Sequence, residues 1–270
     1  MRTTTFRGRF VALSVLLLCC VGLAGAGEAG LARHKKLYVV PAPGPVVIDG
    51  KLDDWDLSGQ IYMFITSESA ETRNARFAMM YDKDALYMSG VVRDPNPLMN
   101  RHDPKVEANN GWNGSSWQLR LSVDPTREYP IQENTGAPKD NPKLLLMTFW
   151  NYTDRQEPCM QMSCGMNYKL PRPEWAPHGA VPSELFAGKY VKAEDGLGYT
   201  FEYRIPWATL NLTTPLKAGD LLAGEVQFNY AAPDGMTTCG PAGWAYDVMA
   251  GPGFVFQNAG CWGKVILSEN

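Results

Sequence analysis

Apolar and polar residues alternate along short runs of this chain, and clusters of Gly, Pro, Asn and Asp separate the runs. Because successive side chains of a strand point to opposite faces, this alternation predicts half-buried β-strands. The clusters supply turn residues, and few stretches keep a helical period for long. The predicted strands are Val46–Asp49, Arg76–Tyr81, Ala85–Val92, Trp117–Val123, Leu144–Tyr152, Tyr199–Ile205, Leu221–Tyr230 and Gly263–Leu267.

The pattern predicts an all-β chain, an antiparallel, jelly-roll-like β-sandwich with long loops and only short helices. Asp82–Asp84 supplies a tight turn between the second and third predicted strands, which should form a hairpin. Pro206 ends a later strand, because it has no N–H to donate, and Trp207–Leu210 can make one helical turn. The alternation assigns these residues to the core: Phe77, Met79, Tyr81, Leu119, Leu121, Tyr199, Phe201, Tyr203 and Ile205.

Two stretches have loop composition and more length than a compact sandwich needs. They are Asp94–Ser116 and the proline-rich Glu157–Gly188. Long loops usually carry function or are disordered, so they are the first places to look for a site.

The N-terminal segment has the three-part order of an export signal. Arginines precede an apolar run, Phe10–Leu23, which is followed by the small residues Ala24, Gly25 and Ala26. The run is shorter than a membrane span, so we expect cleavage after Ala26 and a secreted, periplasmic or cell-surface protein with no span after that cleavage. The predicted division is a signal peptide at 1–26, an N-terminal extension at 27–45 and one β-sandwich domain at 46–270.

Charge excludes one class of partner. The chain has 28 acidic and 25 basic residues, and three of the basic ones lie in the predicted leader. No long basic run appears, so nucleic acid is not an expected partner.

Four cysteines remain after removal of the leader: Cys159, Cys164, Cys239 and Cys261. In an oxidising compartment they predict two disulfides. Three pairings are possible, and sequence does not choose among them, although Cys159 and Cys164 are close enough to close a small loop. A zinc site is the alternative, but the spacing contains no C-x-x-C pair, so no metal site is predicted.

Five landmarks follow one another in order: Val47–Trp55 (VIDGKLDDW), Tyr81–Tyr87 (YDKDALY), Val92–Asp94 (VRD), Tyr203–Trp207 (YRIPW) and Trp262–Leu267 (WGKVIL). In this order they resemble the family 9 carbohydrate-binding modules, over nearly the whole chain after the leader. The resemblance implies a non-catalytic domain that binds mono-, oligo- or polysaccharide, accessory to polysaccharide breakdown. Trp55 and Trp207 are expected in the core.

The resemblance also implies a sugar site. An aromatic residue precedes a central strand, and an acidic residue follows six positions later. Trp112 and Gln118 occupy these positions, with Gln118 in place of the family's Glu, and Asn229 and Trp244 fit a later pair. A charged grip on sugar hydroxyls is weaker with Gln than with Glu.

The residues themselves support a carbohydrate site, because sugar rings need flat aromatic surface and a few planar polar groups. Trp112 lies among turn residues, and Gln118 and Arg120 share one face of the predicted strand. The alternative is that Gln118 and Arg120 form the solvated side of a half-buried strand. Trp175 could extend the aromatic surface, or it could pin its loop to the sandwich.

Other functions remain open at this stage. We find no nucleophile elbow, zinc-protease helix or phosphate loop, so the chain is not expected to be an enzyme. Related sandwiches hold b-type haem, and the many methionines with His102 offer axial ligands, although methionine is also an adaptable core filler. A ligand-free role in surface assembly is the third possibility. Asp94 could hold a structural calcium or cap a turn, and otherwise no cofactor is expected. We expect a monomer.

Overall fold

A computed structural model describes residues 34–64, 66–132, 143–164, 179–239, 244–247 and 259–269, with 244–247 described by backbone alone. The predicted signal peptide therefore lies outside the described residues. In the described ranges no helix has the length and the apolar character that crossing a membrane requires.

Twelve strands dominate the described chain, and the helical segments are short. The strands are β1 (Lys36–Pro41), β2 (Ile61–Phe64), β3 (Asn74–Tyr81), β4 (Ala85–Arg93), β5 (Ser116–Ser122), β6 (Leu144–Tyr152), β7 (Glu157–Cys164), β8 (Ala187–Lys192), β9 (Gly198–Pro206), β10 (Leu221–Asn229), β11 (Trp244–Asp247) and β12 (Gly263–Leu267). The α-helix is α1 (Pro104–Glu107), and 3-10 turns cover Ala108–Asn110, Ser183–Leu185, Trp207–Leu210 and Ala259–Cys261.

The strands form one continuous path in the order β7-β6-β5-β10-β12-β1-β3-β4-β9-β8, with β11 beside β10 and β2 beside β3. The path folds over on itself into a sandwich, so that β5 and β6 pack face to face on β3 and β9. The all-β sandwich prediction is confirmed, with one correction. The sheet is mixed rather than wholly antiparallel, because β1 pairs in parallel with both β12 and β3.

The aromatic residues of the two layers meet in the centre of the core. Trp117 on β5 stacks on Phe149 at 3.9 Å and on Phe201 at 4.7 Å between ring centroids. Phe77 packs against the same indole from β3. All nine residues that the alternation assigned to the core belong to this single buried cluster, and Trp55 and Trp207 are also buried. The period-two prediction of the core is confirmed.

The segment Val46–Asp49 is not a strand, which corrects one prediction. Val46 and Ile48 instead pack in a second cluster against Trp55 on the outer side of the sheet. No neighbouring strand pairs with this segment, and contacts to the Glu202 side chain fix it instead. Trp55 Nε1 donates to Glu202 Oε1 at 2.7 Å, and the Gly50 N–H donates to the same carboxylate. Burial raises the pKa of Glu202.

The stretch Glu157–Gly188 is not one long loop. It begins with β7, and residues 179–181 pair with that strand through the bridge between Gln161 and Ala180. The sheet also begins before residue 46, the predicted start of the sandwich domain, because β1 lies within the segment 27–45.

Candidate functional site

The loop before β5 carries Trp112 and is built to hold a fixed shape. The Asp103 side chain caps α1 by accepting from the Lys105 N–H, and Pro104 occupies the first helical turn. Gly111 then lies flat on the Trp150 indole, where an added Cβ would come within 2.7 Å of the ring. The chain turns sharply there, and Trp112, the next residue, is 37% exposed.

A second loop, residues 231–239, braces the Trp112 loop through Asn113 and His102. Asn113 Nδ2 donates to the Met236 carbonyl at 3.0 Å, and the Thr238 N–H donates to Asn113 Oδ1 at 3.2 Å. The buried His102 ring places Nε2 at 3.2 Å from both the Asn113 and Met236 carbonyls. These contacts fix the chain where it follows Trp112.

Polar side chains fill the face of the sheet that lies behind Trp112 and points away from the core. The strand register sets them in rows across β10, β5, β6 and β7, and the longest row runs through Gln227, Gln118, Thr148 and Gln161. We call this set the polar face. Its members are Ser116, Gln118, Arg120, Ser122, Thr148, Gln161, Ser163, Glu225, Gln227 and Asn229, each at most 6% exposed.

Arg120 is the centre of the polar face. Its Nη1 donates to Glu225 Oε2 at 2.5 Å and to Gln227 Oε1 at 3.2 Å, while Nη2 donates to Gln118 Oε1 at 3.1 Å. Removing both charges from water is costly, and the ion pair is tolerated because the planar guanidinium also satisfies two amide oxygens.

The amide oxygens face Arg120, so the amide nitrogens point outward from it. Gln118 Nε2 donates to Thr148 Oγ1 at 3.0 Å, and Gln227 Nε2 donates to Asn229 Oδ1 at 2.6 Å. Asn229 Nδ2 in turn donates to the Trp112 carbonyl at 2.9 Å. A continuous chain of hydrogen bonds therefore connects the buried ion pair to the backbone of the exposed tryptophan.

The structure brings four of the six predicted ligand residues together. Gln118, Arg120 and Asn229 lie on the polar face, and Trp112 lies at its rim. The backbone of Trp244, on β11, pairs with that of Asn229 on β10. Trp175 lies outside the described residues. The interpretation of Gln118 and Arg120 as a solvated strand surface is wrong, since they are 6% and 3% exposed.

Sequence reasoning missed Glu225 and Gln227, the partners of Arg120 from β10. The signal was present, because Glu225, Gln227 and Asn229 alternate with Val226 and Phe228. The same period-two argument that placed Gln118 and Arg120 on one face would have placed these three together.

No disulfide is present among the described residues, which include all four cysteines that follow the leader. A bond between Cys159 and Cys164 is excluded in this fold. They lie five positions apart on β7, and Cys164 packs in the core whereas Cys159 packs on the opposite face with Trp150. At about 3.3 Å per residue their Cα atoms are roughly 16 Å apart, well beyond the reach of a disulfide.

The groups considered for haem and calcium have structural partners. Methionines such as Met79, Met147 and Met162 pack in the core, and the His102 ring contacts backbone carbonyls. Asp94 accepts from the Asn96 N–H at 2.8 Å, which is the contact of a turn cap, and from Ser115 Oγ at 2.9 Å. Over the described residues no group of three or more His, Cys, Asp and Glu is arranged to hold a metal ion.

No protein-family model and no curated protein sequence matches this chain. Solved structures do match it. A family 9 carbohydrate-binding module from Caldicellulosiruptor kristjanssonii in complex with cellotriose matches with a TM-score of 0.56 and 21% identity, covering 87% of this chain and 95% of that one. The glucose complex of a family 9 module from the same organism matches with a TM-score of 0.55 and 21% identity, covering 87% of this chain and 97% of that one. A protein from Bacteroides uniformis, described as carbohydrate-binding, matches with a TM-score of 0.51 and 11% identity, covering 87% of this chain and 99% of that one. The chain therefore has the fold of the family 9 carbohydrate-binding modules, as the resemblance predicted.

Proposed function

We propose that this chain is an exported, non-catalytic carbohydrate-binding domain that acts as a monomer, accessory to polysaccharide breakdown. The observation that carries the proposal is the hydrogen-bond chain from Arg120 to Trp112. It connects planar amides to the backbone of Trp112, the residue that carries the exposed indole, and so supports the proposal. The structural neighbours, which include complexes with cellotriose and glucose, support the same class of ligand.

The chemistry of the site suits a sugar. The apolar face of a pyranose ring stacks on the Trp112 indole, and its hydroxyl edge turns towards Asn229 and Gln118. An amide side chain has two donor hydrogens and two acceptor lone pairs. Gln118 uses one acceptor lone pair for Arg120 and one donor hydrogen for Thr148. One lone pair and one hydrogen therefore remain for hydroxyl groups of a sugar.

Affinity should be modest. Trp112 is the part of the site that already meets solvent, whereas the amides behind it are buried, so a sugar that reaches them must open the polar face. Stacking contributes about 25 cal/mol per Å² of buried apolar surface, and each neutral hydrogen bond adds about 0.5–1.5 kcal/mol. After the entropy cost of association we expect dissociation constants nearer micromolar than nanomolar.

The test is a glycan array followed by titration calorimetry on the purified protein without its leader. Trp112→Ala should abolish binding with little change in melting temperature, because an exposed indole contributes little to the core. Tyr38→Ala on β1 is the matched control, since Tyr38 is 43% exposed and β1 lies three places from β5 in the strand order. If Trp112→Ala and Tyr38→Ala bind a positive glycan equally well, Trp112 is not part of the site.

A further inference from the structure

A buried histidine connects the two loops that meet beside Trp112. His102 lies in the segment before α1 and is 3% exposed. Its Nε2 is 3.2 Å from the carbonyl of Asn113, the residue after Trp112, and 3.2 Å from the Met236 carbonyl in the second loop. Both neighbours of Nε2 are acceptors, so this nitrogen must carry a hydrogen in order to bond with them.

The other ring nitrogen of His102 faces a carboxylate. Nδ1 lies 3.2 Å from Oε2 of Glu107, the last residue of α1. Among the described residues no group makes an aligned hydrogen bond to Nδ1, so the contact with Glu107 attracts through charge and requires a protonated ring. A neutral ring with its hydrogen on Nε2 would turn a lone pair towards a negative oxygen. The surroundings therefore favour the imidazolium, with a hydrogen on each nitrogen.

Within the described ranges, Glu107 is the charged group placed against the ring. Burial opposes ionisation of Glu107, but hydrogen bonds from Asn110 and His102 outweigh it and lower the pKa of the carboxyl. Glu107 is therefore ionised where histidine ordinarily titrates, between about pH 5 and pH 8. The other charged groups of the surrounding segments have different neighbours: Arg101 pairs with Asp154, Asp103 pairs with Arg155 and interacts with Lys105, and Asp234 accepts from N–H groups of its own loop.

The two contacts of the ring lie on either side of Trp112 in the sequence. Glu107 comes directly before the 3-10 turn Ala108–Asn110, which leads into Trp112, and Asn113 follows it. The imidazolium thus holds both sides of the turn that carries the indole. Loss of its proton removes the attraction to Glu107, so the side that precedes Trp112 is held less tightly.

We propose that His102 is a positioning residue of the sugar site, whose charged form holds the Trp112 loop in the binding shape, so that sugar affinity falls as the pH rises. This deepens the proposed function and rests on it. The sign follows from the contacts, because the protonated ring is the form that Glu107 favours. If deprotonation leaves about a third of the molecules with the loop in the binding shape, the affinity falls about three-fold.

The test follows the loop and the ligand separately in the leaderless protein. In the absence of sugar, the indole N–H NMR signal of Trp112, assigned with the variant Trp112→Phe, should move between about pH 5 and pH 8. Its midpoint should coincide with that of the His102 ring protons. Calorimetric titration with cellotriose should give an affinity about three-fold lower at about pH 8 than at about pH 5.

Three variants assign the effect to the ion pair. His102→Gln cannot carry the charge and Glu107→Gln removes the carboxylate, so each should lose the pH dependence in both measurements. His34→Gln is the matched control, because His34 Nε2 also lies 3.1 Å from a backbone carbonyl, but that of Tyr62 on β2. This control should keep the pH dependence of the wild type. Circular dichroism checks folding, and if His102→Gln is unfolded, Glu107→Gln decides, since its side chain is 32% exposed.

The possible failures are distinguishable. A Trp112 signal that stays constant with pH, or that moves equally in the wild type and in Glu107→Gln, overturns the positioning role of His102. Cellotriose affinity that is the same at both pH values overturns it as well, while the proposed function stands. If cellotriose does not bind at either pH, the assignment of the site to this sugar fails, and the NMR titration still decides whether His102 controls the Trp112 loop.

Discussion

Replacing Arg120 by Met tests whether the polar face is organised by its buried ion pair. The substitution keeps most of the side-chain volume but leaves the Glu225 carboxylate, which is 0% exposed, without its cation. Breaking a buried pair by removing one partner typically costs about 3–5 kcal/mol. The amide oxygens of Gln118 and Gln227 also lose a charged donor. We expect the free energy of unfolding to fall by about 3–5 kcal/mol at pH 7.

The double variant Arg120→Met/Glu225→Met separates the charge from the amide contacts. It also removes the buried carboxylate, so the remaining cost should be about 1–3 kcal/mol from the two amide oxygens that lose a donor. The double variant should therefore be more stable than Arg120→Met alone.

Urea unfolding followed by tryptophan fluorescence measures these differences at pH 7, with the wild type beside the two variants. A loss below about 1 kcal/mol for Arg120→Met would show that the guanidinium is not compensating a buried charge. A double variant less stable than the single one would refute the reasoning in a different way. It would mean that Glu225 stabilises the fold through contacts other than Arg120.

Three further outcomes follow from the fold. Phe201→Ala should lower the free energy of unfolding by about 3–5 kcal/mol, since it empties the centre of the aromatic core, and an unchanged melting temperature would contradict that placement. Burial raises the pKa of Asp94, so its protonation stabilises the fold below the unfolded pKa of about 3.9, and this contribution is lost as pH rises through the folded pKa. The stability of the wild type relative to Asp94→Asn should therefore fall as the pH rises above about 4, whereas a constant difference would contradict a raised pKa of Asp94. Cys159 and Cys164 should be inert to a thiol reagent in the native protein, because both thiols are buried and burial raises the pKa of Cys159 to about 12. Both should react in urea without a reductant. A missing thiol in urea would indicate a disulfide that this fold does not contain.

The sequence predicted the core more completely than the site. Leu119 and Leu121 were correctly placed inward, because alternation separates the two faces of a strand. Alternation does not reveal whether the opposite, polar face meets water or more protein, and that is why Gln118 and Arg120 were open to interpretation as a solvated surface. Only the neighbouring strands decide it, since Glu225 and Gln227 on β10 supply the partners that make burial of Arg120 tolerable.

Secondary structure was misassigned where local composition and tertiary pairing disagree. Pro158 and the prolines that follow gave β7 the composition of a loop, yet the strand forms because β6 pairs with it along its whole length. Val46–Asp49 has a strand-like composition but no neighbouring strand, and the Glu202 carboxylate holds it instead. Such outcomes depend on contacts between distant parts of the chain, which a local pattern does not contain.

The position of β1 has a consequence for biogenesis. Its two neighbours are β3 and the last described strand, β12, so the sheet has a gap at its middle until β12 is available. Ser268 Oγ donates to the Val39 carbonyl across 229 residues of sequence. Pairings of such long range form slowly, and this one cannot form before β12 and Ser268 have been synthesised. The emerging polypeptide should therefore lack a complete sheet until β12 has been synthesised. The same arrangement means that deleting the last strand should prevent completion of the sheet rather than merely shorten it.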